Sequence, residues 1–413
     1  MSKKLKKKVP ELRFPVFDGN WDTDRIDNFL VHHVDPVDVD LETNYKQIGI
    51  RSHGKGIFHK EAVTGRELGN KRVYWVHPNA FVVNIVFAWE QAVALTSSDE
   101  DGFIASHRFL MFLPKQNRAS LEFVILFFLR ERGKYLLELA SPGGAGRNKT
   151  LGQQNFAELE ITLPKIAEQE KIASFLGAVD RRLTQLRRKQ ELLQTYKRGV
   201  MQKIFSQKIR FKGAIGSEFP DWEEKRLDEL GEFKNGFNAD KSSFGDGVEF
   251  VNLMDIFGKS EIKKIPLERV QISSNQVEQY KIKKGDVLFV RSSVKREGVG
   301  QACLVNDDFE DTVYSGFIIR FREKSSELCH LYKKYCFSSL EFRKELLSLA
   351  TSSANTNINQ ESLSAIILFY PCKKEQEKIT GFLTAIDRKI EILSCQIDQT
   401  EQFKKGLLQK MFV

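Results

Sequence analysis

The stretch Pro164–Ser206, PKIAEQEKIASFLGAVDRRLTQLRRKQELLQTYKRGVMQKIFS, returns at Pro371–Val413 as PCKKEQEKITGFLTAIDRKIEILSCQIDQTEQFKKGLLQKMFV. The offset is a constant 207 positions, no gap is needed, and 17 of the 43 pairs are identical. A shared helical period alone does not produce that many identities, so the chain is an internal repeat of variable block and helix. Inside the first copy, apolar residues alternate at spacings of four and three: Ile172, Leu176, Val179, Leu183, Leu186, Leu193, Val200 and Ile204. Inside the second they are Ile379, Leu383, Ile386, Ile390, Leu393, Ile397, Leu407 and Met411. Polar Gln190, Lys197, Thr400 and Lys404 interrupt the seams. A seam sustained over about five heptads predicts a coiled coil. Each seam needs a partner and the other copy supplies one, so the expectation is an antiparallel pair with a pseudo-two-fold axis. Phe175, Phe382, Phe205 and Phe412 lie off the seam and are expected to leave apolar surface for other proteins.

The blocks between the helices also match. The first opens on Phe14-Pro15, Trp21 and Arg25, the second on Phe219-Pro220, Trp222 and Arg226. At the same offset the strand-like Ala80–Asn84 falls on Val287–Arg291, Asn148 on Asn355, and Gln153 on Gln360. In the first block, β-branched and aromatic runs predict strands at Tyr45–Ile50, Val73–Val76 and within Asn79–Phe87, and helical spacing predicts a helix over Leu121–Leu139. The second block reads as strands at Val248–Leu253, Asp286–Val290, Ala302–Val305 and Phe317–Arg322, and as a helix over Leu328–Ala350. The expected layout is α+β: a basic tail over 1–12, a domain over 13–163, and a central helix over 164–206. A linker over 207–221, a second domain over 222–370 and a C-terminal helix over 371–413 complete it.

Composition sets the class. The 413 residues are 41% hydrophobic and 29% charged, and no apolar run approaches the length of about 20 that a membrane helix requires. Met1–Val9 carries five lysines with no apolar run behind it, so no secretory signal is expected. Five cysteines, an odd count with no C-x-x-C pair, fit a reducing cytoplasm and argue against a disulfide framework or a cysteine zinc site. A net charge of +9 suits a polyanionic partner.

At these residues the chain resembles the specificity subunit of type I restriction–modification systems. The likeness covers nearly the whole length. It rests on the EQEKI-x-x-FL-x-A-[VI]-D-[RK] helices beginning at Glu168 and Glu375, which end in KRG-x-x-QK and KKG-x-x-QK. It rests also on the domains before them, which open at Trp21 and Trp222 and close at Leu163-Pro164 and Tyr370-Pro371. The resemblance implies a DNA-binding subunit without catalytic residues, in which each domain reads one half of a split, asymmetric target and the helices act as a ruler. It implies no cofactor in this chain. The partners it implies are double-stranded DNA, two modification subunits that use S-adenosylmethionine to methylate adenine, and restriction subunits that use ATP and Mg.

Catalytic motifs are missing in keeping with that reading. No Pro-Pro dipeptide is present, so the adenine methyltransferase signature is absent. Gly143 to Thr150 lacks the glycine before its lysine that a phosphate loop needs, and Gly298-Val-Gly300 is too short for a dinucleotide fingerprint. Asp221, Glu223, Glu224 and Lys225 resemble a nuclease's acidic pair with lysine, but they crowd into one segment. Seven histidines show no H-E-x-x-H or Cys/His metal spacing. A self-contained nucleic-acid-modifying enzyme is the alternative that these absences disfavour; a scaffold that binds only proteins is the one that the charge disfavours.

Base reading needs donors and acceptors on loops beside cations that hold phosphates. In the first block the candidates are Lys46, Arg51, His53, Lys55 and Lys60, from the stretch Lys46–Arg72 that lies between strand-like segments and is interrupted by Gly54 and Gly56, with Arg147, Asn148 and Lys149 before the closing strand. In the second they are Lys234, Asn235, Asn238 and Lys241; Arg291, Ser292, Ser293, Lys295 and Arg296; and Asn355 and Asn357.

Overall fold

The computed structural model describes residues 9–143, 149–352 and 355–413. They fall into two compact units, one ending at Arg187 and completed by Cys395–Val413, the other spanning Arg188–Ser394. The fold is α+β, and the two units repeat one topology. In the first, a four-stranded sheet runs in the spatial order Leu30–His33, Phe109–Pro114, Phe81–Asn84, Val93–Leu95. In the second, Gly231–Asn235, Ile318–Glu323, Val287–Val290 and Ala302–Val305 follow the same order, with Glu261–Ile262 added at the edge. A second sheet also recurs: Asn44–Ile50 lies between antiparallel Ile57–Thr64 and parallel Ile104–Ser106, and Phe244–Val251 lies between antiparallel Glu268–Val270 and parallel Val313–Tyr314. Each unit is closed by a strand pair that joins its start to its finish: Asp22–Arg25 with Glu160–Leu163, and Glu223–Arg226 with Ile367–Tyr370.

The repeated stretches form continuous helices, Ile166–Phe205 and Lys373–Lys410. At about 1.5 Å per residue each extends for roughly 60 Å. Their pairing is antiparallel inside each unit. In the first, Lys404 Nζ meets Asp180 at 2.6 Å and Arg187 meets Glu401 at 2.5 Å. In the second, Lys197 Nζ meets Asp387 at 2.6 Å. Two of the polar interruptions in the seams, Lys197 and Lys404, thus form cross-helix ion pairs, which penalise a slipped register. Twelve seam residues are buried (Ile172, Leu176, Leu183, Leu186, Ile204, Ile379, Leu383, Ile386, Leu393, Ile397, Leu407 and Met411), whereas Val179, Leu193, Val200 and Ile390 are half-buried.

The seam ends serve the domains as well as the coiled coil. In the first unit Ile172, Leu176, Leu407, Met411 and Phe412 join a core built on Trp21, Phe81, Phe123 and Phe128. In the second, Ile204, Phe205, Ile379 and Leu383 join Phe289, Phe321, Phe337 and Phe342. Burial of each such side chain contributes roughly 1.5–3 kcal/mol. The four phenylalanines expected to offer apolar surface therefore do not. Phe412 stacks on Phe123 at 4.9 Å and Phe205 lies 5.9 Å from Tyr332, while Phe175 and Phe382 are half-buried, with Phe14 and Phe211 edge-on to them, each at 5.7 Å. Instead, Leu192, Tyr196, Ile392 and Phe403 are the large apolar residues of the two long helices that stay exposed.

The single helices expected over Leu121–Leu139 and Leu328–Ala350 are each two. Arg130 is extended (φ −85, ψ 164) between Leu121–Phe128 and Glu131–Leu139. Gly133 permits the sharp turn, because a β-carbon there would lie 2.3 Å from the Phe127 carbonyl oxygen. In the second unit Ser339 starts a new helix, Leu340–Leu349, after Tyr332–Cys336, and its hydroxyl accepts the Phe342 N–H at 3.3 Å.

Candidate nucleic-acid interface

Most of the first unit's candidates lie on a β-hairpin rather than a long loop. Lys46 stands on strand Asn44–Ile50 and Lys60 on strand Ile57–Thr64; only 51–56 form the turn. The turn is anchored. His53 and Gly54 donate their backbone N–H groups to the carbonyls of Glu90 (2.7 Å) and Gln91 (3.0 Å), and Ser52 Oγ donates to Glu90 at 2.9 Å. Gly54 has φ +64, and a β-carbon there would meet Leu129 at 2.2 Å, so the close approach requires glycine. The anchoring leaves Arg51, His53 and Lys55 exposed, with the Arg51 guanidinium 4.8 Å above the Phe58 ring. Lys46 lies 5.6 Å from the Phe103 ring, and the His59 ring lies 4.5 Å from the same ring, tilted by 41°. Burial opposes ionisation of Glu100, but His59 at 2.9 Å and the Ser97 bonds hold its carboxyl below the usual range. Lys149 lies 5.7 Å from Trp89 and pairs with Glu138. Arg147 and Asn148 fall outside the described residues.

In the second unit the structure assembles candidates that are far apart in sequence. Ser292 and Ser293 pair with Asn357 and Thr356 in a small sheet, and Arg291 accepts the Ile358 N–H at 3.0 Å. Asn357 Nδ2 donates to the Asn355 carbonyl at 3.0 Å. Arg291 donates its backbone N–H to the Phe317 carbonyl at 2.9 Å and Nη1 to the Gly316 carbonyl at 3.2 Å. Gly316 is also the seat of Asn238, whose Oδ1 would be 1.9 Å from a β-carbon. Lys234 and Asn235 were expected on a loop but end strand Gly231–Asn235, which pairs beside Phe317 through Asn235 opposite Ile319. The Lys234 ammonium lies 4.9 Å from Tyr280. Arg291, Ser292, Ser293, Asn355, Asn357, Asn235 and Asn238 thus gather along one set of strand ends. Lys241 lies elsewhere, on a 3₁₀ turn bonded to Gln271, and Arg296 donates to the Leu347 carbonyl at 3.2 Å. Lys295 is exposed, and its N–H bonds Ser293 Oγ at 3.2 Å.

Among the described candidate lysines and arginines, Lys149 alone forms an ion pair. By contrast Arg13, Arg25, Arg118, Arg210, Arg226 and Arg322 are all bound to carboxylates. A half-buried guanidinium such as that of Arg291, with one of its five donors used, is competent to bind an acceptor-rich ligand. The sequence reading missed Trp89, Val294 and Phe317. The last two are 84% and 60% exposed, and only exposure distinguishes them from core residues.

The nuclease-like segment has a structural role. Glu223, Glu224 and Lys225 lie on the closing strand Glu223–Arg226, and Lys225 Nζ is held by Glu327 at 2.6 Å.

A sequence profile of the type I restriction modification DNA specificity domain matches residues 74–194 and 220–402, one match in each half of the chain. The chain belongs to this family. Its family is defined by a DNA specificity domain, so the chain has a target-recognition role on DNA. A type I specificity subunit (MjaVIII) of Methanocaldococcus jannaschii is 24% identical over 97% of this chain and 93% of its own length. The EcoKI specificity subunit of Escherichia coli is 21% identical over 67% of this chain and 60% of its own. Two solved specificity subunits share the fold. That of M. genitalium superposes with a TM-score of 0.56 at 16% identity, over 98% of this chain and 99% of its own. The HsdS subunit of Thermoanaerobacter tengcongensis gives 0.51 at 19% identity, over 95% and 96%.

Proposed function

We propose that this chain is the non-catalytic reader of a bipartite, asymmetric target on double-stranded DNA, and that it directs adenine methylation and restriction by partner subunits. The observation that carries the reading is one topology presented twice with different side chains at its strand ends. Identical domains would read a palindrome; divergent ones read two unlike halves. Unpaired cations around amide and hydroxyl groups supply what phosphate positioning and base-edge contacts require. The partners are two modification subunits, in which S-adenosylmethionine serves as methyl donor, and restriction subunits that use ATP and Mg, all in the cytoplasm. The candidate contacts are those of the first unit's hairpin and of the second unit's Arg291 cluster, and the long helices set the spacing between half-sites.

The test is co-expression with the modification subunit followed by genome-wide mapping of methylated adenine. A single motif of two unlike halves separated by a fixed gap is expected. Methylation by this chain alone would favour a self-contained enzyme and defeat the proposal.

A further inference from the structure

The two recognition domains carry a matched pair of residues whose side chains are exchanged. In the first unit strand Phe81–Asn84 runs antiparallel to Phe109–Pro114, with Asn84 opposite Phe109. One step further, Ile85 donates its N–H to the Arg108 carbonyl at 2.9 Å. In the second unit Val290 is opposite Ile318, and one step further Arg291 donates to the Phe317 carbonyl at 2.9 Å. The surroundings repeat as well. Ile85 accepts the Leu151 N–H at 2.9 Å as Arg291 accepts that of Ile358 at 3.0 Å, and Ser106 Oγ accepts the Arg108 N–H as Ser315 Oγ accepts that of Phe317, both at 3.3 Å.

The backbone positions are therefore equivalent, and their occupants are Ile85 and Arg108 in one domain, Arg291 and Phe317 in the other. Each pair holds one arginine and one apolar residue, in opposite order. Arg108 is exposed, and its guanidinium forms no ion pair or hydrogen bond with a described residue; the Arg291 guanidinium uses one donor, toward Gly316. Phe317 is 60% exposed. Ile85 is half-buried against its core, whereas a packing role does not account for the uncovered Phe317 beside an arginine that forms no ion pair with a described residue.

We propose that these are base-reading pairs, with Arg108 and Arg291 each gripping a guanine, one in each half-site. The inference rests on the DNA-reading function proposed above. An arginine fork matches the O6 and N7 acceptors of guanine, and an adjacent apolar side chain matches a thymine methyl group. Exchange of the arginine between two neighbouring strands moves the point of guanine contact within an otherwise equivalent domain, which gives one fold two unlike half-sites.

The experiment uses the complex of the full chain with its modification subunit. The target is first mapped by methylation, and binding is then measured on duplexes carrying that target and each single-base substitution, at two salt concentrations. Arg108→Ala is expected to lose discrimination at one guanine of one half-site, by about 10- to 100-fold, and leave the other half unchanged. Arg291→Ala is expected to do the same in the opposite half. Arg108→Lys, which keeps the charge without the planar fork, is expected to lose discrimination as well. Uniform weakening with unchanged base preference and a shallower salt dependence would mark a phosphate contact and overturn the inference. So would unchanged binding in both alanine variants. A wild-type complex with no bipartite motif would overturn the proposed function itself, and this inference with it.

Discussion

Arg13 grips Glu168 with two hydrogen bonds, from Nε at 2.8 Å and Nη2 at 2.7 Å, and donates two more to the carbonyls of Gly19 and Asp18. In the other unit Arg210 grips Glu375 and donates to the carbonyl of Pro220 at 2.6 Å. The neighbouring glutamines repeat the device. Gln169 accepts the Ser120 N–H and donates to the Pro164 and Arg118 carbonyls; Gln376 accepts the Cys329 N–H and donates to those of Pro371 and Glu327. The Glu-Gln dipeptide that opens each repeated helix therefore fastens the helix to its own domain.

Removal of one member of this clamp should be costly. Glu168 is 2% exposed and Glu375 is fully buried, so Glu168→Ala leaves Arg13 without its carboxylate and Glu375→Ala leaves Arg210 with Asp221 alone, at 3.6 Å. We expect a loss of about 1–3 kcal/mol in each case, measured by urea unfolding.

The reciprocal ion pairs should behave as register locks. In the first unit Asp180→Lys alone places two lysines together with Lys404 and is expected to destabilise the helix pair. Addition of Lys404→Asp restores the attraction with the charges exchanged. A double-mutant cycle on thermal stability should return a favourable coupling of about 0.5–3 kcal/mol; zero coupling would remove the registering role.

Acid should loosen the second unit's pair. Burial opposes ionisation of Asp387, but the hydrogen bond from Lys197 and the charges of Lys197 and Lys334 keep its carboxyl below the usual range. A folded pKa below the unfolded one means that the contribution is complete above about pH 4 and lost as pH falls through the folded value. The wild-type melting temperature is therefore expected to fall below about pH 4 more steeply than that of Asp387→Asn, which is already less stable at neutral pH.

The second long helix and the start of the chain are joined as the first helix is joined to the linker. Leu12 N–H bonds the Lys410 carbonyl at 2.8 Å, as Ile209 N–H bonds the Lys203 carbonyl at 3.1 Å. A covalent connection in one place is matched by a hydrogen-bonded one in the other. A circular permutant with residue 413 linked to residue 9 and the chain reopened at the exposed Ile215 is expected to fold, with the circular dichroism spectrum and melting behaviour of the parent. Failure to fold would show that the linker does more than connect.

The constant offset, the 4-3 seams and the repeated motif were legible in the amino-acid string because they are local or periodic, and they determined a duplicated α+β chain with paired helices. Leu176 and Leu383 could be assigned to a core without coordinates, since helical spacing alone puts them on the apolar face. Tertiary structure decided what was not periodic. Phe412 reads as surface on a helical repeat, yet it is buried because a domain from a distant part of the chain closes over it. Glu168 and Gln169 mark the start of the repeated motif in the sequence, but their partners Arg13 and Ser120 lie 155 and 49 positions away. The exchange of Arg108 with Phe317 was invisible at the fixed offset of 207, because insertions between the strands shift the true correspondence. Strand register, a long-range hydrogen-bonding relation, is what aligned those two residues.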